Sequence, residues 1–160
     1  LTFITALYSG FPDWHYDHDP IEVRSDGSIA IKWRQGGTHT ATLALPGFDE
    51  VASRSSAVAA ELFDTGVNMG PAVATTFLQR ALTALNRNGE DYPDLVPDGR
   101  VGAETLAALD AFLKVRGSSG ETVLLRALEA LQGERYLRLA ERRPANEAFL
   151  YGWLANRIGN

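Results

Sequence analysis

Apolar residues return every three or four positions through most of this chain, and they alternate with polar ones only near its beginning. Val58, Leu62 and Phe63 are expected inward on a helix that Ser55 or Ser56 can cap and that runs to about Val67. After Gly70, Pro71 suits the first helical position, where its missing N–H removes no bond. Val73, Phe77, Leu78, Ala81, Leu82 and Leu85 then follow at helical spacing and predict a second helix ending near Asn86. The stretch from Asn86 to Val101 is rich in Asn, Gly, Asp and Pro and reads as a loop, with Tyr92 and Leu95 as its anchors. A third helix is expected over Glu104 to Val115, with Leu106, Leu109, Phe112 and Leu113 apolar. Gly117-Ser118-Ser119-Gly120 should break it before a fourth and longest helix from Glu121 to about Glu141. Pro144 interrupts again, and Asn146 to Ile158 predicts a last helix on which Trp153 falls in phase with Phe149 and Leu150 and is expected in the core.

The first 45 residues have another texture. Ile21-Glu22-Val23 and Ile29 to Trp33 flank Ser25-Asp26-Gly27-Ser28, a hairpin signal, and Thr38 to Leu45 can add a strand. The pattern therefore predicts a mainly α fold in two parts: a β-prone segment over residues 1–45 and a five-helix unit over residues 46–160.

Bulk composition narrows the chemistry. At 160 residues and 45% hydrophobic content the chain can bury a real core. A formal charge of −5 argues against nucleic acid as a partner and against bulk electrostatic attraction to an anionic cell wall. With no cysteine, disulfides, thiol catalysis and cysteine-held metals are excluded together. No apolar run reaches the ~18 residues of a membrane span. Leu1 to Leu7 is too short for a signal peptide and lacks its basic flank. Because the chain starts at Leu1 rather than Met, an upstream portion is expected to be missing.

Three polar constellations stand out. Asp64 and Asn68, four apart on one helical face around the helix-weakening Gly66, can hydrogen-bond the hydroxyl and acetamido groups of a saccharide, or can cap and tie helices. Asp98-Gly99-Arg100-Val101-Gly102-Ala103-Glu104-Thr105 reads first as a tight turn leading into a helix, because Asp98 can bond its own backbone and the glycines accept positive φ. Alternation brings Asp13, His15, Asp17 and Asp19 to one side of a strand, but outside the stretch from Asp13 to Asp19, which also holds His18, the only histidine is His39, so no metal site is expected. Among the aromatics, Tyr92 on its loop is the candidate to stack on a sugar.

The strings Glu61 to Leu85, Asp98 to Thr105 and Phe149-Leu150-Tyr151-Gly152-Trp153-Leu154 resemble the C-terminal half of phage and prophage N-acetylmuramidases of glycoside hydrolase family 108, and the resemblance spans about Pro46 to Asn160. It implies a lysozyme-like fold and a peptidoglycan-binding half of an endolysin, with glycan strands of the bacterial cell wall as partner, no cofactor, a monomeric state, and Asp64, Asn68 and Tyr92 as substrate-binding residues. The family's catalytic glutamate lies in an E-G-G motif, followed by D-P-x-D-x-G-G and G-I-T stretches. None is present: the Gly36-Gly37 pair follows Gln35. No catalytic residue is carried over, and residues 1–45 are expected to be a degenerate or frame-shifted remnant of the catalytic region. Two alternatives stay open: a working muramidase whose acid comes from residues upstream of Leu1 or from an unrecognised carboxylate, and a non-catalytic interaction protein of a phage or secretion system. No export route is legible, so synthesis in the cytoplasm with delivery to the periplasm or wall is the expectation.

Overall fold

The computed structural model describes residues 15–18, 22–23, 29–30, 33–36 and 47–159. The chain divides into two compact units, Leu1–Ala44 and Leu45–Asn160.

Among its described residues the first unit has two antiparallel strand pairs. Strands β2 (Glu22–Val23) and β3 (Ile29–Ala30) pair with Val23 opposite Ile29, the hairpin that the Asp26-Gly27 signal predicts. Strands β1 (His15–His18) and β4 (Trp33–Gly36) pair with His18 opposite Trp33. The pairing of β1 was not legible, because His, Tyr and Asp carry no apolar alternation. The expected strand over Thr38 to Leu45 lies outside the described residues, as do Asp13, Asp19 and His39.

The second unit is all helix and loop, so the chain is mainly α. Helix α1 (Phe48–Ala52) is one short turn, unpredicted because it is shorter than a periodic pattern can reveal, yet it buries Phe48 and Val51. Helix α2 (Ser56–Met69) starts at Ser55, whose Oγ accepts from Val58 N at 3.0 Å and donates to Glu121 Oε1 at 2.6 Å. The cap thus satisfies a free helical N–H and also ties α2 to a distant helix. Helix α3 (Pro71–Leu85) follows directly through Gly70, with proline at its first position. Phe77, Leu78, Ala81 and Leu82 are buried as the spacing requires, whereas Phe63, expected inward on α2, is 37% exposed.

The third and fourth expected helices are two arms that meet at a kink and are labelled together as α4 (Ala103–Arg142). The break is confined to Gly117, at φ 61° and ψ −157°, a conformation essentially reserved for glycine. Ser118 and Ser119 already belong to the second arm, and Gly120 is needed there because a Cβ would lie 2.1 Å from Arg116 Cβ. Leu109 and Phe112 before the kink, and Leu124 and Leu128 after it, join Val58, Leu62, Leu78 and Leu82 in one buried core. Helix α5 (Glu147–Arg157), entered through a 3₁₀ turn over Pro144–Asn146, contributes no buried residue. Trp153, expected in the core, is half-buried and stacks on Tyr136 at 5.2 Å between ring centroids and on Phe149 at 6.1 Å. Helical phase is the same for a core stripe and for a helix lying on the surface, which is why the pattern misplaced it.

Candidate functional site

The Asp98 turn is a structural joint. Asp98 Oδ1 accepts from Arg100 N at 2.9 Å, closing the turn on itself, and Gly99 sits at φ +75° with space for no side chain, since a Cβ would meet Ala72 O at 2.9 Å. The organiser of this joint is Gln79, a buried polar residue inside the apolar run of α3. Its Nε2 is shared among Asp98 Oδ1 (2.8 Å), Arg100 O (3.1 Å) and Thr105 Oγ1 (3.1 Å), and its Oε1 accepts from Gly99 N (3.0 Å). Gln79's hydrogen bond, first among the causes, holds the Asp98 carboxyl below its ordinary range.

Tyr92 is likewise an anchor. It is 7% exposed, its OH donates to Leu82 O at 2.8 Å, and burial first of all pushes its phenol up to about 12. What little of the ring is exposed lines a hollow of about 350 Å³ with Pro93, Leu95 and Glu104, away from Asp64 and Asn68. The missed signal was Asn86, fully buried, whose Nδ2 bonds Tyr92 O at 3.1 Å and Asp94 Oδ1 at 2.7 Å and folds the loop inward.

Asp64 and Asn68 do share a face of α2, and they touch. Asn68 Nδ2 donates to Asp64 O at 2.8 Å and lies 3.4 Å from Oδ2. Neither caps the helix, which ends at Gly70. Gly66 between them is buried, so what covers the backbone there is protein.

From Asp64 a polar hollow of about 430 Å³ opens between three helices. Helix α2 supplies Ala57, Ala60, Glu61 and Asp64, helical neighbours along one face; α4 supplies Leu125 and Glu129; α5 supplies Asn156 and Arg157. The Arg157 guanidinium pairs with Asp64 Oδ1, linking the last helix to the second. Behind Asp64, the fully buried Gln132 donates from Nε2 to Oδ2 at 3.3 Å. Glu61 Oε1 and Gln132 Oε1 are buried without a hydrogen-bond partner. Burial, then the charges of Glu129 and Asp64, push the Glu61 carboxyl from its ordinary 4.5 to about 7. Burial also raises the Tyr136 phenol, opposed by Arg157 and reinforced by Asp64 and Glu61.

Such a hollow can accept hydrogen bonds from a polar ligand and can donate one whenever Glu61 is protonated. A larger hollow of about 540 Å³, lined mainly by Ala81, Ala84, Leu95, Ala127 and Leu131, lacks convergent polar groups and offers shape alone. Sequence spacing singled out Asp64, which lines the hollow, and Asn68, which is not among its lining residues. It missed Glu61, which lies one turn before Asp64 on the same face, because its burial depends on helices distant in sequence. Among the described residues no group of His, Cys, Asp and Glu is placed to hold a metal ion, and no helix is long and apolar enough to cross a membrane.

Comparison with curated proteins gave no match. Residues 73–158, more than half of the chain, match the family model described as "Predicted Peptidoglycan domain". That stretch begins just inside α3 and runs beyond α5, so it includes Glu129, Gln132, Asn156 and Arg157 and leaves the α2 wall of the hollow outside it. The chain therefore belongs to the predicted peptidoglycan domain family.

Proposed function

We propose that this chain is the wall-binding, non-hydrolysing part of a phage-type muramidase, and that the hollow between α2, α4 and α5 is where it meets peptidoglycan. The observation that carries this reading is a polar, concave site lined by Glu61, Asp64, Glu129, Asn156 and Arg157 on a domain of the predicted peptidoglycan family. Asp64 belongs to its wall, and Asn68 is bonded to Asp64 without lining it. Residues 1–45 are proposed to be what is left of the catalytic region, since the E-G-G glutamate has no counterpart. Without a positioned proton donor the leaving oxygen of a glycosidic bond is unassisted, a deficit of ~10²–10⁴ in rate from this one contribution.

Two assays test the reading together. The purified chain should sediment with insoluble peptidoglycan and should leave the turbidity of a wall suspension unchanged between about pH 4 and 8. Failure to sediment would remove wall binding and favour an interaction protein.

A second reading, hydrolysis with Glu61 as acid, is favoured by one feature: a carboxyl held near neutrality by burial is what a general acid needs. Loss of turbidity that vanishes in Glu61→Gln would establish it in place of the first.

A further inference from the structure

Three aromatic rings run outward from the core along one side of α5. Tyr136, buried on α4, stacks on the half-buried Trp153 at 5.2 Å and 27° between ring planes. Trp153 in turn stacks on Phe149 at 6.1 Å and 23°. The series ends at Phe149, which is 60% exposed although Trp153 covers one of its faces. Its other face is therefore open to solvent. Single exposed apolar side chains need no explanation. An exposed ring held nearly parallel to two others, the innermost of them buried, is a different object: a flat surface whose orientation is fixed before anything binds.

Phe149 also has a defined neighbourhood. Phe149, Trp153, Asn156 and Arg157 fall at i, i+4, i+7 and i+8 and so form one stripe along α5. Asn156 and Arg157 line the hollow between α2, α4 and α5. The open ring and the polar hollow thus lie at the two ends of that stripe, about 12 Å apart along the helix axis. A partner that covers both must offer a flat apolar face followed, within that distance, by hydrogen-bonding groups. An aliphatic chain lacks the second. Nucleic acid is opposed by the wall of the hollow, where Glu61, Asp64 and Glu129 stand against one cation, Arg157. A glycan strand has both. Its β-linked amino sugars carry their substituents equatorially, so each pyranose shows a face of C–H bonds to a ring and a rim of hydroxyl and acetamido groups to polar side chains. The family to which the chain belongs is a peptidoglycan one, and its match includes the whole stripe.

We propose that the outer face of Phe149 is a stacking subsite for one pyranose of a glycan strand, whose neighbouring sugar enters the hollow at Asn156 and Arg157. That the strand belongs to peptidoglycan rests on the wall-binding reading above; the stacking of a pyranose does not. Each ring then has its own part. Tyr136 fixes Trp153 against α4, Trp153 fixes the plane of Phe149, and only Phe149 touches the sugar. Tyr151, 85% exposed, lies two positions beyond Phe149 and so on the opposite side of the helix, which makes it an internal control.

Calorimetric titration of the full chain with a soluble oligomer of β-linked N-acetylglucosamine and, separately, with a soluble stem peptide tests this. The oligomer should bind and the stem peptide should not. Phe149→Leu keeps an apolar side chain but removes the flat face, and it should weaken the oligomer by about three- to tenfold. Phe149→Tyr should restore binding, and Tyr151→Ala should leave it unchanged. No binding of the oligomer, binding of the stem peptide alone, equal affinity in Phe149→Leu, or a matching loss in Tyr151→Ala overturns the proposal. So does a loss in Phe149→Leu that Phe149→Tyr does not restore. Sedimentation with insoluble wall keeps the two ideas apart. A chain that sediments while its oligomer binding ignores Phe149 loses the subsite and keeps the wall reading. Oligomer binding that depends on Phe149, without sedimentation, does the reverse.

Discussion

Glu61 makes the stability of this protein depend on pH in a direction opposite to most carboxylates. Below about 4.5 it is protonated in the folded and the unfolded chain alike. As pH rises the unfolded carboxyl ionises first, while the folded one keeps its proton to about 7. The folded state therefore binds more protons across that window, and stability is lost as pH climbs through it. Because Glu61 is only partly buried, solvent screening holds the effect to about 1–2 kcal/mol. Thermal unfolding of Glu61→Gln should be flatter between pH 4.5 and 7.5, with the variant the more stable at the upper end; parallel curves for both proteins would contradict the burial argument. Gln79→Ala should cost about 2–3 kcal/mol, because it leaves Gly99 N and the Asp98 turn without their shared partner. Asn68→Ala, on an exposed side chain bonded only within its own helix turn, should cost less than about 0.5 kcal/mol in urea unfolding. Single residues were the least legible scale in the sequence. Gln79, Asn86 and Gln132 are polar letters in apolar or loop stretches, and only the fold shows that each is buried.

Elements were far more legible, because a 3.6-residue period and a glycine or proline at each boundary act locally. Ser55, Gly70, Pro71 and Gly117 all stand where helices begin, join or bend. What local signals could not give was how little of Gly117-Ser118-Ser119-Gly120 is non-helical, since one glycine can redirect a chain that resumes its helix at once. Gly117→Ala places a side chain at φ 61° and ψ −157°, and it should lower stability by about 1–3 kcal/mol. A rise in melting temperature instead would mean that the kink is optional and that α4 can straighten.

At the scale of the whole molecule, the fold class was legible and the candidate site only half so. The mainly α character follows from the apolar rhythm after Pro46, whereas the hollow needs side chains from residues 57 and 157 to meet, and no sequence window spans them. All the buried residues among those described lie between Phe48 and Ala140. A fragment of residues 46–160 should accordingly fold alone, with cooperative unfolding and the helical signal of the second unit. Loss of cooperativity in that fragment would show that the first unit contributes to its core.

Helix α5 carries Asn156 and Arg157 to the hollow but buries nothing of its own. Its attachments include the Tyr136–Trp153 stack and the Arg157–Asp64 ion pair. A segment held this way opens locally at a small free energy, well before the core unfolds. Its amides should exchange with deuterated solvent faster than those of residues 124–140, and added salt should speed them further by screening the ion pair. The wall of the hollow that α5 provides would then behave as a door. A ligand seated against it should slow that exchange, giving occupancy a signature in solution that needs neither turnover nor a labelled wall.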